Sequence, residues 1–255
     1  MTSAALVFIA AMGLALGSFL NVVIARLPTD WRLSALVWPA SQCPHCQSTI
    51  GWLEKLPVLG WLICQGHCRA CQQPIRLRYV LIEAGSALVA VLVINQFGLT
   101  PAGLSALVLS AWLIVLSGID QDTLLLPDCL TLSGLWLGLL SATLYHHTTP
   151  IEAITGAALG YSVLAGLNAG YYWLTGREGM GGGDFKLLAM LGAWLGVSAL
   201  PAILLLAAGG GTLWALGGML WARRSRYAMM AFGPWLAAAG WITLIWGHEW
   251  QKIIG

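Results

Sequence analysis

The sequence predicts an all-α, polytopic membrane protein of about eight transmembrane helices, with a small polar insert between the first two. Three observations predict it. Hydrophobic residues fill 58% of the 255 positions and charged residues only 9%, against about 25% charged in a soluble domain, so the chain has too little polar surface to face water all round. Apolar stretches of roughly spanning length, about 17–25 residues, alternate with short polar breaks. Lys and Arg gather in alternate breaks, the bias that marks the cytoplasmic side of a membrane.

The spans are expected at 3–24, 79–97, 102–119, 129–146, 151–174, 184–199, 201–222 and 229–247. Only Pro201 and a weak polar dip divide the sixth from the seventh. The first has no Lys or Arg before Arg26, so it lacks the positive start of a signal peptide and reads as a retained helix. With the N-terminus outside, residues 25–78, 120–128, 175–183 and 223–228 face the cytoplasm. They hold Arg26, Arg32, Lys55, Arg69, Arg76, Arg78, Arg177, Arg223, Arg224 and Arg226, ten of the twelve Lys and Arg residues. Lys186 lies just inside a helix at the same face and Lys252 falls outside, so both termini are expected on the outer side. Membrane lipid is the medium; a net charge of +2 without a basic aromatic patch argues against nucleic acid.

Glycine recurs four residues apart at Gly13/Gly17, Gly134/Gly138, Gly156/Gly160, Gly166/Gly170 and Gly192/Gly196, the spacing that lets helix backbones approach inside lipid. The fourteen Trp residues read as packing and interface anchors. Three parts follow: a first helix at 1–24, an insert at 25–78, and a membrane bundle at 79–255.

The insert carries the sharpest local signal, CPHC at 43–46 and CRAC at 68–71. Each Cys-x-x-Cys turn offers two sulfurs on one side of a tight loop, and two turns complete a tetrahedron suited to Zn²⁺. A reducing cytoplasm disfavours disulfides there. Cys43, Cys46, Cys68 and Cys71 are therefore the expected ligands of a structural zinc, with redox cysteines or a metal-free insert as alternatives. Cys64, His45 and His67 lie near enough to substitute, while Cys129 reads as a small buried side chain. A closed four-sulfur site leaves no position for substrate, so the metal would fold the insert.

Acids are scarce, so each can be weighed. Glu152 and Glu249 fall on the outer side, Asp30 and Glu54 in the insert, Glu178 in a polar loop beside Arg177, and Glu83 about one turn into the second helix, within reach of Arg76 or Arg78. Two groups remain at the cytoplasmic boundary: Asp120, Asp122 and Asp128 in GIDQDTLLLPD at 118–128, and Asp184 in GMGGGDF at 179–185. Ionisable groups at this depth are costly to keep and point to function. Asp122 and Asp128 read rather as loop acids. Gly181, Gly182 and Gly183 would let another backbone approach Asp184 closely. Two carboxylates in a poorly hydrated site share a proton, and such a pair activates water against a peptide carbonyl. Asp184 opens one expected helix and Asp120 closes another, so helix dipoles would favour an ionised Asp184 and a protonated Asp120.

With these motifs on the page, the chain resembles the type IV prepilin peptidases, bifunctional leader peptidases and N-methyltransferases of pilus and type II secretion systems. The matching segments are GSFLNVVIARLP at 17–28, both cysteine turns, RYVLIEAGSAL at 78–88, IDQDTLLLPD at 119–128 and GGGDFKLLAMLGAW at 181–194. The resemblance implies that Asp120, seven residues before Pro127, and Asp184 are the catalytic pair. It implies cleavage of a prepilin or pseudopilin leader at the cytoplasmic face of a bacterial inner membrane. It also implies methylation of the new N-terminus from S-adenosylmethionine, with the cysteine-bearing insert associated with that activity. Two other classes stay open: an intramembrane protease of the signal-peptide-peptidase kind, and a proton-coupled transporter whose helical acids relay protons.

Overall fold

The computed structural model describes residues 2–29, 41–145, 148–221 and 230–254. Asp30, Arg32, Arg223, Arg224 and Arg226 lie outside them. Among the described residues every regular element is a helix, and isolated bridges stand in place of strands. It divides into two compact units, Met1–Gly103 and Leu104–Gly255.

In the first unit, α1 (Ser3–Arg26) starts where the Thr2 hydroxyl accepts from the Ala5 amide. A short α2 (Leu59–Ile63) lies in the insert, and α3 (Arg78–Phe97) ends at Gly98, whose φ of 70° few other residues tolerate. α1 packs on α3 through small residues. A Cβ on Gly13 would lie 2.6 Å from the Ala87 Cα, and one on Gly17 2.7 Å from the Glu83 Cα.

The second unit comprises α4 (Pro101–Thr123), α5 (Asp128–Tyr145), α6 (Pro150–Thr175), α7 (Gly182–Leu195), a 3-10 turn (Val197–Ala199), α8 (Leu200–Trp221) and α9 (Gly233–Ile254). Thr149 and Glu152 cap α6 reciprocally and Pro150 opens it. The buried axis is α7, where Leu187, Leu188, Met190 and Leu191 have no exposed surface. Glycines admit it on three sides. Gly156 and Gly160 of α6 meet the backbone at Gly192 and Leu188, Gly134 and Gly138 of α5 meet Met190 and Trp194, and Gly240 of α9 meets Leu191. The close-packing expectation therefore holds for Gly13/Gly17, Gly134/Gly138 and Gly156/Gly160, and for Gly192. It does not hold for Gly166 and Gly170, which face open space. Trp112 and Trp194 donate to the Leu130 and Gly134 carbonyls, so these two indoles tie helices together.

Each expected apolar segment is a helix, but the sixth differs from expectation. It ends at Leu195, not 199, because Gly196 turns the chain at a φ of 81°, and Pro201 sits inside the first turn of α8. At 14 residues α7 is about 21 Å long, short of the roughly 30 Å hydrocarbon core. Among the described residues, five stretches are long and apolar enough to cross a membrane: α1, α3, α4, α6 and Val197–Leu220.

Candidate active site and cysteine cluster

Asp120 lies in the last turn of α4 and Asp184 in the first turn of α7. Both are buried, at 5% and 9% exposure, and close enough for their charges to interact. Leu126, Phe185 and Ile119 bury the surroundings. Two acids separated by 63 intervening residues, one in the last turn of a helix and one in the first turn of another, are thus brought within electrostatic reach. Asp122 and Asp128 remain exposed. Asp128 pairs with Lys186 at 2.5 Å, on the solvated side.

Asp120 does close its helix as expected, but the dipole argument drawn from that needs correction. The sequence places it only at the negative end of its own helix. In the fold the Gly233 amide, at the start of α9, donates to the Asp120 Oδ2 at 2.9 Å. Asp120 therefore also faces the positive end of a second helix, and dipoles no longer separate the two carboxylates. A Cβ at position 233 would lie 2.6 Å from that oxygen, so only glycine brings its amide so near. Sequence reasoning missed Gly233. Its signal was the Phe-Gly-Pro run opening the last helix.

The three glycines before Asp184 do different things. A Cβ on Gly183 would press within 2.7 Å of Leu126, so this glycine lets α7 seat against the 124–127 loop. Gly181 and Gly182 have nothing within 4 Å and form an open flank beside the acid. The loop entering α7 is held from α6, where the Asn168 Oδ1 accepts from the Gly179 and Met180 amides at 3.0 Å each. Asn168 also escaped sequence reasoning, although a lone amide in an apolar helix is a usable sign. An apolar cleft of about 370 Å³ lies between α5 and α6, with Leu135, Tyr161 and Lys186 in its wall; neither acid lines it.

In the first unit, Cys43, Cys46, Cys68 and Cys71 bring their sulfurs within 4.8 Å of one another. The two turns repeat one design. The Cys43 amide donates to the Ser48 carbonyl and the Gln47 amide to the Cys43 carbonyl; Cys68, Gln73 and Gln72 do the same. Gln47 and Gln72 both take left-handed φ, 56° and 57°. Cys43 and Cys71 place their sulfurs 3.8 Å apart, and Cys46 and Cys68 theirs 3.9 Å apart. Cys64, His45 and His67 are not in the cluster. Backbone amides of Cys71 and Ala70 pull the Cys68 thiol down to about 6. At Cys71 the Gln73 amide acts the same way, but burial and three neighbouring sulfurs outweigh it and push that thiol up to about 12. Four thiols this close cannot all ionise unaided, and a metal cation would let them. The set could hold one metal ion.

Residues 11–97 match the Bacterial Peptidase A24 N-terminal domain and residues 107–216 the Type IV leader peptidase family. The chain is 44% identical to the prepilin leader peptidase/N-methyltransferase of Aeromonas hydrophila, covering 92% of this chain and 89% of that protein. Identity to the protein so named from Pseudomonas putida is 43%, covering 93% and 89%. For the one from Neisseria gonorrhoeae it is 40%, covering 91% and 87%. No solved structure matches. On this similarity along nearly its whole length, the chain belongs to the type IV leader peptidase family.

Proposed function

We propose that this protein cleaves the leader of a prepilin or pseudopilin with Asp120 and Asp184 as an aspartate pair, and methylates the N-terminus so exposed. The observation that carries the proteolytic half is two buried, electrostatically interacting carboxylates, one at a helix end and one at a helix start, beside an open glycine flank. The substrate backbone lies along Gly181 and Gly182, where no side chain stands between it and Asp184. One carboxylate of the pair takes a proton from water while the other, protonated, donates to the scissile carbonyl. The water oxygen bonds to the carbonyl carbon, the C–N bond breaks, and the amine leaves with a proton from the pair. The Gly233 amide holds Asp120 in place through this exchange. The pair titrates as a unit, which gives cleavage a bell-shaped pH profile.

The four cysteines suit zinc. A Zn–S bond of about 2.3 Å sets tetrahedral sulfurs roughly 3.8 Å apart, and the Cys43–Cys71 and Cys46–Cys68 pairs stand at 3.8 and 3.9 Å. Zinc there would fold the 25–78 insert and leave no open coordination position. Methylation follows the names of the relatives, with S-adenosylmethionine as the donor that the resemblance implies. The topology that fits is eight spans in a bacterial inner membrane, both termini periplasmic and the acids at the cytoplasmic face. The 79–255 segment would then be the protease bundle. Family membership removes the support for a transporter, and the cysteine insert that for a signal-peptide-peptidase-like enzyme. Incubating purified protein and S-adenosylmethionine with a prepilin, then weighing the product N-terminus by mass spectrometry, tests both halves. A shortened and methylated product is expected; an intact prepilin refutes the proteolytic reading.

A further inference from the structure

The first unit exposes an apolar stripe where a water-facing loop should be polar. Trp52, Leu53, Leu56, Leu59, Leu62 and Ile63 are all exposed, Trp52 at 75%. They recur at helical spacing through consecutive turns, carried by the Lys55→Gly51, Gly60→Leu56 and Leu62→Val58 amide-to-carbonyl bonds. The side turned inward is different: Gly60 is buried against the Glu54 carbonyl, and the Trp61 indole donates to the Ile75 carbonyl at 3.2 Å.

The height of this stripe is fixed by a buried acid. The Val58 amide, at the start of α2, donates to the Glu83 Oε2 at 2.7 Å. Ser18 of α1 also bonds Glu83, and Glu83 is only 9% exposed. Glu83 stands five residues into α3, about 7.5 Å along its axis. Val58 accepts a left-handed φ of 60° in this arrangement, unusual for a β-branched residue. The start of α2 is therefore tied below the end of a helix apolar enough to cross a membrane, not suspended above it. That depth matches the roughly 5–10 Å by which interfacial helices sink their apolar face. Exposed Lys55 and Arg76 lie in the same unit, suited to meet anionic phosphates.

We propose that residues 52–63 lie in the headgroup–acyl boundary of the bilayer, inserting the exposed Trp52–Ile63 stripe into lipid, with Glu83 as the pin that sets their depth. The inference rests on α1 and α3 crossing the membrane. It makes the insert a membrane-seated platform that carries the cysteine cluster.

The test is photo-crosslinking of the full chain in liposomes of phosphatidylethanolamine and phosphatidylglycerol. Benzoylphenylalanine replaces Leu56, Leu59 or Leu62 in turn, with Leu81 on α3 as lipid-facing control and Gln72 as aqueous control. Adducts are identified by mass spectrometry, and zinc content reports the fold of each variant. Lipid adducts at Leu59, and at Leu56 or Leu62, with a yield like that at Leu81 and well above that at Gln72, are expected. Peptide adducts from this chain or a second copy at all three positions would overturn the inference, as would no adduct there while Leu81 reacts. If Leu81 also fails to reach lipid, the spanning role of α3 fails, and the inference with it.

Discussion

Replacing Gly233 by Ala asks how tightly Asp120 is positioned. The new Cβ would stand 2.6 Å from the Asp120 Oδ2 and 3.1 Å from its Cγ. Ordinary contact begins near 3.4 Å, so something must move by about 0.8 Å. Asp120 is 5% exposed and cannot swing into solvent; either the carboxylate turns away or the start of α9 recoils, and the 2.9 Å amide bond is lost both ways. A misplacement of about 1 Å at a reacting group costs roughly 10²-fold in rate. Losing a hydrogen bond to a charged group, about 1.5–3 kcal/mol, gives a similar figure. Overpacking should lower stability by about 1–3 kcal/mol. Cleavage kinetics on a detergent-solubilised prepilin, alongside thermal unfolding, separate the effects. The expected result is a kcat reduced about 10²-fold in protein that remains folded. Gly217→Ala, on α8 with nothing within 4 Å, is the control and should keep wild-type kcat. A Gly233→Ala enzyme with wild-type kcat would refute the reasoning.

Three further outcomes are expected. Asn168→Leu unties the Gly179 and Met180 amides, at about 1–3 kcal/mol for donors left without a partner; the loop before Asp184 loosens, which peptide-level hydrogen exchange should show as faster exchange at 177–183, with slower cleavage. Gly192→Ala drives a Cβ to 2.2 Å from the Gly156 carbonyl and should lower the unfolding temperature, whereas Gly166→Ala, in open space, should not. Cys43→Ser or Cys71→Ser should lower zinc content from about one per chain, affecting methylation at least as much as cleavage. In wild type, zinc retention should fall as pH falls, because protons compete for the thiolates, and metal analysis across pH checks the sign.

What could be read from the sequence depended on contrast. Asp120 and Asp184 stood out because an apolar chain carries few acids, and the two cysteine turns because their spacing is a local property. Helix existence followed from hydropathy, but hydropathy does not see backbone dihedrals. The end of α7 was therefore expected at 199 and lies at Leu195, before Gly196. Gly233 was missed because its role is an amide and a missing side chain, which hydropathy does not register, and the Phe-Gly-Pro run that marks a helix start does not name the partner of that amide. For the same reason the field at Asp120 was misjudged: the sequence shows the helix a residue sits on, not the helix end that docks against it. Small-residue spacing gave the right reason at Gly156 and Gly160 and none at Gly166 and Gly170, since the pattern cannot say which face has a neighbour. Glu83 was read as an acid one turn into the second helix, within reach of Arg76 or Arg78, and its bond to Val58 across 25 positions had no sequence cue.

The central claim is that the two buried carboxylates perform the hydrolysis. The most direct measurement is cleavage of a prepilin by purified Asp120→Asn and Asp184→Asn proteins, read by mass spectrometry, with Asp122→Asn and Asp128→Asn alongside. Asn keeps the volume but cannot exchange the proton, so either change in the pair should abolish leader removal while unfolding temperature and zinc content stay near wild type. The exposed acids should tolerate replacement, since a solvated ion pair such as Asp128–Lys186 is worth at most about 1 kcal/mol. A folded Asp184→Asn or Asp120→Asn protein that removes the leader at the wild-type rate would contradict the account.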